Sequence, residues 1–488
     1  MQQLARNIAR NSALVMAAQI AIKLLSFGFT VLIVRRLGVD EFGQYAAVAA
    51  FGSLFLFIGD LGLSPYLVRE VARLRDTPEG PARINQLYGT VLWLRLALSL
   101  AGVSLMLVVA WLTGRPLIMI GALALNALGM LLYALQGTSE ALLAGHERLD
   151  IPAGARVIYQ ITFVVLGGLA LLLGLGYYGL IYATLIAIVV LTILCGRGVL
   201  RLGVRPGPPA RQLWPGLILA GLPFGIVAFT LGLSYKFDSV LLNIFHGDAE
   251  TGYYNAAYSL VFSTVFLSNA INTALFPSLT RQAVADPRSV PQIYGRVIRY
   301  LLLIGLPIAV GGSFLADRII PFLYEGGYER AIPALRVIIW VVPLMFLSEF
   351  LGYAVIIGGQ ERKVVRSVLF STSINVALNL ALVPRFGLGA AAIMTVVTEL
   401  VLVCQYLWLL RADMAVVPWG HALARPAAAA LLMGGCVLLL HALPLLLVVA
   451  LGALLYGGLL LLLGVIGPEE FRFVRALRRE PHVEGGPA

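Results

Sequence analysis

The chain has 488 residues, of which 60% are hydrophobic and 12% charged, and its formal net charge is +11 at pH 7. So few charges exclude an ordinary water-soluble surface, and no loop has the basic stripe with interleaved aromatic residues that favours nucleic-acid binding. Apolar stretches of about 20 residues recur throughout, which is the length that crosses a membrane as a helix. We therefore predict an all-α polytopic membrane protein.

The apolar stretches predict about fourteen transmembrane helices with short connections. The predicted spans are 12–34, 44–67, 87–112, 117–142, 154–175, 178–197, 215–242, 253–276, 299–315, 332–357, 366–383, 389–410, 427–443 and 445–466. The first stretch precedes Arg35 and Arg36 without a small-residue cleavage site. We interpret it as a helix, not as a secretory signal.

Most of the basic residues lie on one side of this arrangement. They fall in segments 6–10, 69–83, 148–156, 197–211, 281–299, 362–366, 411–425 and 472–479. The other connections hold far fewer, at Arg35, Arg36, Arg115, Arg318, Arg330 and Arg385. Because cytoplasmic loops are enriched in Lys and Arg, this bias predicts that both termini are cytoplasmic.

The thiols and imidazoles show no site spacing. Cys195, Cys404 and Cys436 lie far apart in or at the ends of spans, and the five His residues are scattered at span ends. We expect packed or lipid-facing thiols, no metal site and no cofactor.

Two segments of the first half reappear in the second half. Gly38-Val-Asp-Glu-Phe-Gly-Gln-Tyr-Ala-Ala-Val48 matches Gly247-Asp-Ala-Glu-Thr-Gly-Tyr-Tyr-Asn-Ala-Ala257, 209 residues later. Residues 144–149 match residues 358–363, after the fourth and tenth spans, and Gly179 matches Gly389. These matches predict a duplicated six-helix bundle. We expect a first lobe at 1–211, a second lobe at 212–411, and two further helices with a cytoplasmic tail at 412–488.

The same residues resemble the oligosaccharide flippase branch of the multidrug/oligosaccharidyl-lipid/polysaccharide exporter superfamily. The likeness covers at least the first twelve spans. It is carried by the runs Arg35 to Tyr45, Asp60 to Leu63, Phe237-Asp238, Thr251 to Ala257, Phe276 to Thr280, Asn375 to Asn379 and Val383 to Ala391.

The resemblance implies a transporter of surface-polysaccharide synthesis, such as that of lipopolysaccharide O-antigen, in the bacterial cytoplasmic membrane. Its substrate is expected to be an undecaprenyl-diphosphate-linked oligosaccharide, moved to the periplasmic leaflet by alternating access of two lobes. The implied partners are this lipid-linked oligosaccharide, membrane lipids, a coupling proton or sodium ion and a polysaccharide polymerase.

Charged residues inside the first-lobe spans are candidate site residues because a charge in lipid is costly. Lys23 in the first span is predicted to contact the diphosphate, although a packing or snorkelling role is an equal alternative. Arg95 is a further substrate candidate. Asp60, a candidate coupling or gating residue, lies at the same predicted depth, about 10 to 12 Å from the cytoplasmic ends, and the two are placed to form an ion pair.

The second-lobe candidates are mainly acids. Lys236 is a candidate substrate contact and Asp238 a coupling or gating residue, on nearly opposite faces of one helix. Glu349 and Glu399 have no intramembrane base nearby in sequence, so either is a candidate for proton coupling or for a hydrogen-bonded packing role.

Other functions remain as alternatives. A cation-coupled multidrug or small-solute exporter of the same superfamily is favoured if the second-lobe acids outweigh Lys23. A peptidoglycan-precursor flippase is disfavoured because the first span lacks a dense basic cluster. An enzyme such as a sugar polymerase needs a large outer loop, whereas the longest here, about residues 316–331, is short.

Overall fold

A computed structural model describes residues 2–268, 271–272, 279, 286, 289–440 and 442–465, with side chains from residue 22 onward. These residues form helices and contain no strand. The α-helices are Gln2–Asp60 (α1), Leu63–Leu74 (α2), Gly80–Leu112 (α3), Leu117–Gly145 (α4), Asp150–Leu172 (α5), Gly176–Arg201 (α6), Trp214–Phe262 (α7), Val290–Phe314 (α8), Ala316–Tyr324 (α9), Ile332–Ile338 (α10), Val341–Ile357 (α11), Glu361–Leu409 (α12), Arg411–Met414 (α13), Arg425–Leu439 (α14) and Leu445–Leu462 (α15).

Three of the longest helical segments contain two membrane crossings each. Within the described residues, 11 segments are long and apolar enough to cross a membrane, among them Ile22–Leu74, Arg211–Ser268 and Glu361–Leu409. These three are interrupted by Gly38, Gly247 and Gly387, whose φ values are 72°, 83° and 53°. A continuous helix of about 50 residues would be about 75 Å long, more than twice the hydrocarbon thickness. Counting each interrupted segment twice gives the predicted fourteen spans.

The matched segments share backbone conformation as well as sequence. Gly38 has φ 72° and ψ −179°, and Gly247 has φ 83° and ψ −168°. Both are backbone conformations that only glycine adopts readily. The turns after α4 and α11 also contain residues with positive φ, Glu147 at 60° and Gly359 at 70°, but these two residues are not at matched positions.

Three buried apolar clusters hold the helices together. Two of them draw on residues between Ala47 and Val240. The third combines Phe29, Ile33, Val34 and Phe42 of α1 and Leu180 of α6 with residues from Leu241 onward, and it includes the C-terminal helices α14 and α15. The first crossing of α1 therefore packs on both halves of the chain, with Phe29 against Phe163 of α5 and Val34 against Tyr328.

The outer surface of the bundle is apolar. Leu112, Leu117, Leu439 and Leu462 have exposed fractions between 69% and 86%, and many other large apolar side chains are also exposed. Such a surface is stable in lipid and not in water. Together with the spans, it identifies a multi-pass membrane protein.

Candidate functional site

The bundle has two chemically different ends. The end that joins α4 to α5 and α6 to α7 carries Arg148, Arg201, Arg205 and most of the other basic residues, and we call it the basic end. The other end contains the glycine breaks of α1, α7 and α12, and we call it the distal end. The run from Phe276 to Thr280, apart from Leu279, and the tail after residue 465 lie outside the described residues.

Asp60 and Arg95 form the ion pair that their depths predict. Nη2 of Arg95 lies 3.0 Å from Oδ1 of Asp60, and Nη1 donates a hydrogen bond of 2.9 Å to Oγ of Ser64. Ser64 Oγ in turn donates to Asp60 at 2.7 Å, and Arg95 is 6% exposed. Both guanidinium termini are thus engaged by α1 and α2, which leaves Arg95 poorly placed to bind a phosphate.

Lys23 is exposed on the first crossing of α1. Its neighbours Leu24 and Leu25 are 58% and 42% exposed, and no salt bridge or hydrogen bond joins its ammonium group to another described residue. The Lys23 backbone lies about 22 Å from the break at Gly38 along the helix. Lys23 is therefore an accessible cation within an apolar segment, nearer to the basic end.

Lys236 and Asp238 both contact tyrosines of the second crossing of α7. Nζ of Lys236 lies 5.6 Å from the ring centroid of Tyr258. Asp238 is 3% exposed and accepts hydrogen bonds from Tyr254 Oη, from the Ser239 amide at 2.8 Å and from Thr395 at 3.5 Å. The first crossing of α7 is unbroken at these two residues, so their side chains leave it on different faces. The long Lys236 side chain nevertheless reaches Tyr258, one turn beyond the Tyr254 that donates to Asp238.

A small polar cavity lies between α7, α11 and α12. Its volume is about 60 Å³, enough for about two water molecules. Its polar lining residues are Ser234, Tyr235, Ser371, Thr372, Asn375, Thr395, Thr398 and Glu399. Ser348 donates a hydrogen bond to the Glu399 carboxylate. Asn375 donates to Thr398 at 2.9 Å, while its buried Oδ1 has no partner among the described residues.

Glu349 follows Ser348, the residue that donates to Glu399 in this cavity. Nδ2 of Asn272 is 3.4 Å from Oε2 of Glu349. Asp238, Glu349 and Glu399 are therefore all in the polar interior of the second half, and the hydrogen bonds from described residues to Asp238 and Glu399 come from hydroxyl and amide groups.

Pro307 lines a different cavity. This space, of about 520 Å³, lies between α8, α14 and α15, and its wall consists mostly of Leu, Ile, Val and Gly side chains. The proline therefore shapes an apolar space and not a polar pathway.

A group of contacts that the sequence did not predict joins the two halves at the distal end. Arg115 donates hydrogen bonds to Asn243 Oδ1 at 2.6 Å and to the carbonyl oxygens of Asn243 and Ile244 at 2.8 and 3.0 Å. Nε2 of Gln44 donates to Asp248 at 3.0 Å. Arginine capping of helix C-termini is favourable because the last carbonyl groups carry partial negative charge.

Arg35 makes a second contact of the same kind. It donates to the carbonyl oxygens of Phe322 and Leu323, in the last turn of α9, and its Nη1 lies 3.2 Å from Glu325. We call the contacts of Arg35, Gln44 and Arg115 the distal latch. The only sequence signal for it was the presence of arginines on the side that has few basic residues.

No metal centre is formed by the described residues, which contain no group of three or more His, Cys, Asp or Glu placed to hold an ion. The cysteines are free, with Cys195 buried, Cys436 half-buried and Cys404 exposed.

A sequence profile described as polysaccharide biosynthesis protein matches residues 8–282, more than half of the chain. The chain belongs to this family. A Haloferax volcanii protein named as a probable low-salt glycan biosynthesis flippase, Agl15, is 22% identical over 271 residues, which cover 55% of this chain and 57% of that protein. An uncharacterized membrane protein of Methanocaldococcus jannaschii is 26% identical over 178 residues, 36% of this chain and 34% of that protein. The matches therefore span less than two thirds of either curated relative.

Solved structures show the fold of this family member. The lipid II flippase MurJ, in an inward closed conformation, superposes with a TM-score of 0.77 at 15% identity and covers 96% of this chain and 100% of its own. An inward-facing multidrug resistance MATE family transporter of the MOP superfamily gives a TM-score of 0.62 at 18% identity, over 81% of this chain and 94% of its own. The chain has the fold shared by these transporters.

Proposed function

We propose that this polysaccharide biosynthesis protein is a flippase. It moves an undecaprenyl-diphosphate-linked oligosaccharide across the bacterial cytoplasmic membrane by alternating access and delivers it to a polysaccharide polymerase. The family profile and the transporter fold support transport in place of catalysis. The basic end faces the cytoplasm in this proposal, since Lys and Arg are enriched there. The lobes are residues 1–211 and 212–411, followed by the two additional helices and tail at 412–488.

The observation that carries the substrate assignment is the exposed ammonium group of Lys23. A lipid-linked oligosaccharide combines a diphosphate, which needs a cation, with a prenyl chain, which needs an apolar surface. Lys23 provides the first and the exposed Leu24 and Leu25 provide the second on the same turn. The other first-half intramembrane base, Arg95, is already held by Asp60 and Ser64. Lys236 is half-buried over Tyr258 and is a secondary contact.

The distal latch is consistent with a state that is closed toward the periplasm. Arg35 and Arg115 come from the first half, and their acceptors come from the second half. Separating the halves at this end breaks these hydrogen bonds, so their energy must be recovered by new contacts in the opposite state. We propose that this exchange is the opening step.

Coupling to a proton or sodium ion is assigned to the second-half acids. Asp238 and Glu399 are bound by neutral hydroxyl and amide donors, which orient a carboxylate but do not neutralise it. Glu349 lies close to Asn272 in the same interior. A carboxylate in a membrane interior is stabilised when a cation or a proton joins it. We propose that cation binding here biases the equilibrium between the two states.

The substrate assignment is tested by charge reversal at Lys23. Lys23→Ala should reduce export of surface polysaccharide, and Lys23→Glu should abolish it, at unchanged protein abundance. Lys23→Arg should retain partial export, because a guanidinium also binds phosphate. Arg36→Glu is the matched control, since Arg36 is an exposed base of the same helix at the distal end. Wild-type export by Lys23→Glu at normal abundance would refute the assignment.

A further inference from the structure

The two halves also meet by backbone contact near the basic end. The second crossing of α1 ends at Asp60, and the next two residues have positive φ, 40° at Leu61 and 76° at Gly62. This break lies directly on Gly221 and Gly225 of α7. A Cβ atom added to Gly62 would be 2.2 Å from the Gly221 oxygen and 2.5 Å from the Gly225 nitrogen.

The approach is equally close from the other side. A Cβ atom on Gly221 would lie 2.7 Å from the Leu61 oxygen, and one on Gly225 would lie 2.6 Å from the Leu61 carbonyl carbon. Further along the same helix face, a Cβ atom on Gly232 would overlap the ring of Phe57. Small residues allow helix backbones to pack this closely in a membrane. At Gly62, Gly221 and Gly225 the close atoms belong to the backbone, so no side chain can be added there without separating the halves, whereas at Gly232 the Phe57 ring would have to move.

The Asp60–Arg95 pair fixes the shape of this contact. The Asp60 carboxylate spans the break, because it accepts hydrogen bonds from both the amide and the hydroxyl group of Ser64. Arg95, on α3, holds Asp60 and Ser64 together from the first-half side. The pair therefore sets the positions of Leu61 and Gly62, which face α7.

We propose that this contact, the glycine seam of Phe57, Leu61 and Gly62 against Gly221, Gly225, Phe229 and Gly232, is the pivot about which the two halves rotate. Asp60 and Arg95 are its positioning residues. The assignment rests on the proposed flippase function. A lipid-linked substrate needs one lateral opening for its lipid chain, and the exposed face of Lys23 and Leu24 lies on the other crossing of α1. The wall formed by the seam can therefore stay closed throughout the cycle.

Cross-linking distinguishes a pivot from a gate. The background is a chain whose three cysteines are replaced by serine. In it, Phe57→Cys with Phe229→Cys allows a bifunctional methanethiosulfonate to bridge the seam, where the centroids of the two native rings are 6.4 Å apart. Arg35→Cys with Glu325→Cys would place the same reagent across the distal latch. The seam cross-link should form in membranes and leave most of the polysaccharide export intact, whereas the latch cross-link should abolish export.

Labelling of a cysteine at the distal end does not depend on the substrate, so it separates the pivot proposal from the flippase proposal. Val39→Cys, at the distal end, should be labelled by an impermeant maleimide when the latch opens. The seam cross-link should leave this labelling rate unchanged and the latch cross-link should suppress it. The pivot proposal is overturned if both cross-links suppress the labelling, or if the cysteines at positions 57 and 229 fail to cross-link. If the labelling follows the expected pattern but surface polysaccharide never depends on the protein, the flippase proposal fails and the pivot stands.

Glycine substitutions give a second test with a matched control. Gly221→Ala and Gly225→Ala should abolish export by forcing the seam apart. Gly216→Ala should export normally, because Gly216 lies on the same helix with no atom within 4 Å of an added Cβ. Export by Gly225→Ala equal to that of Gly216→Ala would contradict the seam geometry. If Gly225→Ala lowers abundance, the cross-linking result decides.

Discussion

Removing the partners of the Asp60–Arg95 pair should have unequal effects on stability. Asp60→Ala leaves a guanidinium that is 6% exposed, whose remaining hydrogen bond within the described residues is to Ser64 and whose buried Nε has no partner there. Loss of one member of a buried pair costs about 3 to 5 kcal/mol. Arg95→Ala leaves a carboxylate whose side chain is 28% exposed and still accepts two hydrogen bonds from Ser64. We expect the smaller cost of about 1 to 3 kcal/mol for that change.

The double variant decides whether the pair acts as a unit. Without either charge, no buried group is left uncompensated, so the double loss should fall short of the summed single losses by about 1 to 3 kcal/mol. The assay is the free energy of unfolding of the purified protein in mixed detergent micelles, measured for the parent, both single variants and the double variant. Strictly additive losses, or a larger loss for Arg95→Ala than for Asp60→Ala, would refute the reasoning.

Three other changes test separate features of the molecule. Arg115→Ala removes three hydrogen bonds of the distal latch and should speed labelling of the distal reporter cysteine; an unchanged rate would show that the latch does not limit opening. Gly247→Ala should lower the free energy of unfolding by about 1 to 2 kcal/mol because its φ is 83°, whereas Gly389→Ala, with open space around it, should not. Glu399→Gln keeps a partner for Ser348 but removes the charge, so export should become insensitive to collapse of the ion gradients. Parental sensitivity in that variant would exclude Glu399 from coupling.

The features that follow from helix geometry were predictable from the sequence. A fixed rise of about 1.5 Å per residue converts chain position into depth, which is why the sequence places Asp60 and Arg95 at one level. Gly38 and Gly247 match in sequence, and both have positive φ. Hydropathy identified the spans because lipid requires each backbone group to be satisfied within its own helix.

The features that depend on helix rotation and crossing were not predictable. Arg115 and Asn243 are separated by 128 residues, and nothing in either segment specifies that they meet. Tyr254 reaches Asp238 only because the two crossings of α7 fold against each other at Gly247. The glycine seam was missed for a related reason, since Gly221 and Gly225 look like ordinary membrane-helix glycines until the break at Leu61 is placed against them.

The two halves hold their buried charges in different ways, and the proposed function assigns anion binding to one half and cation coupling to the other. In the first half, Arg95 is paired with Asp60, so Lys23 is the exposed intramembrane cation that we propose binds the anion. In the second half, Asp238 and Glu399 accept hydrogen bonds from neutral donors, which do not neutralise a carboxylate. In the cycle that we propose, an anionic substrate and a coupling cation bind to different halves, and they influence each other through the relative position of the halves. If the seam is the pivot and the latch is the gate, as we propose, the contacts between the halves are as important for coupling as the charged residues themselves.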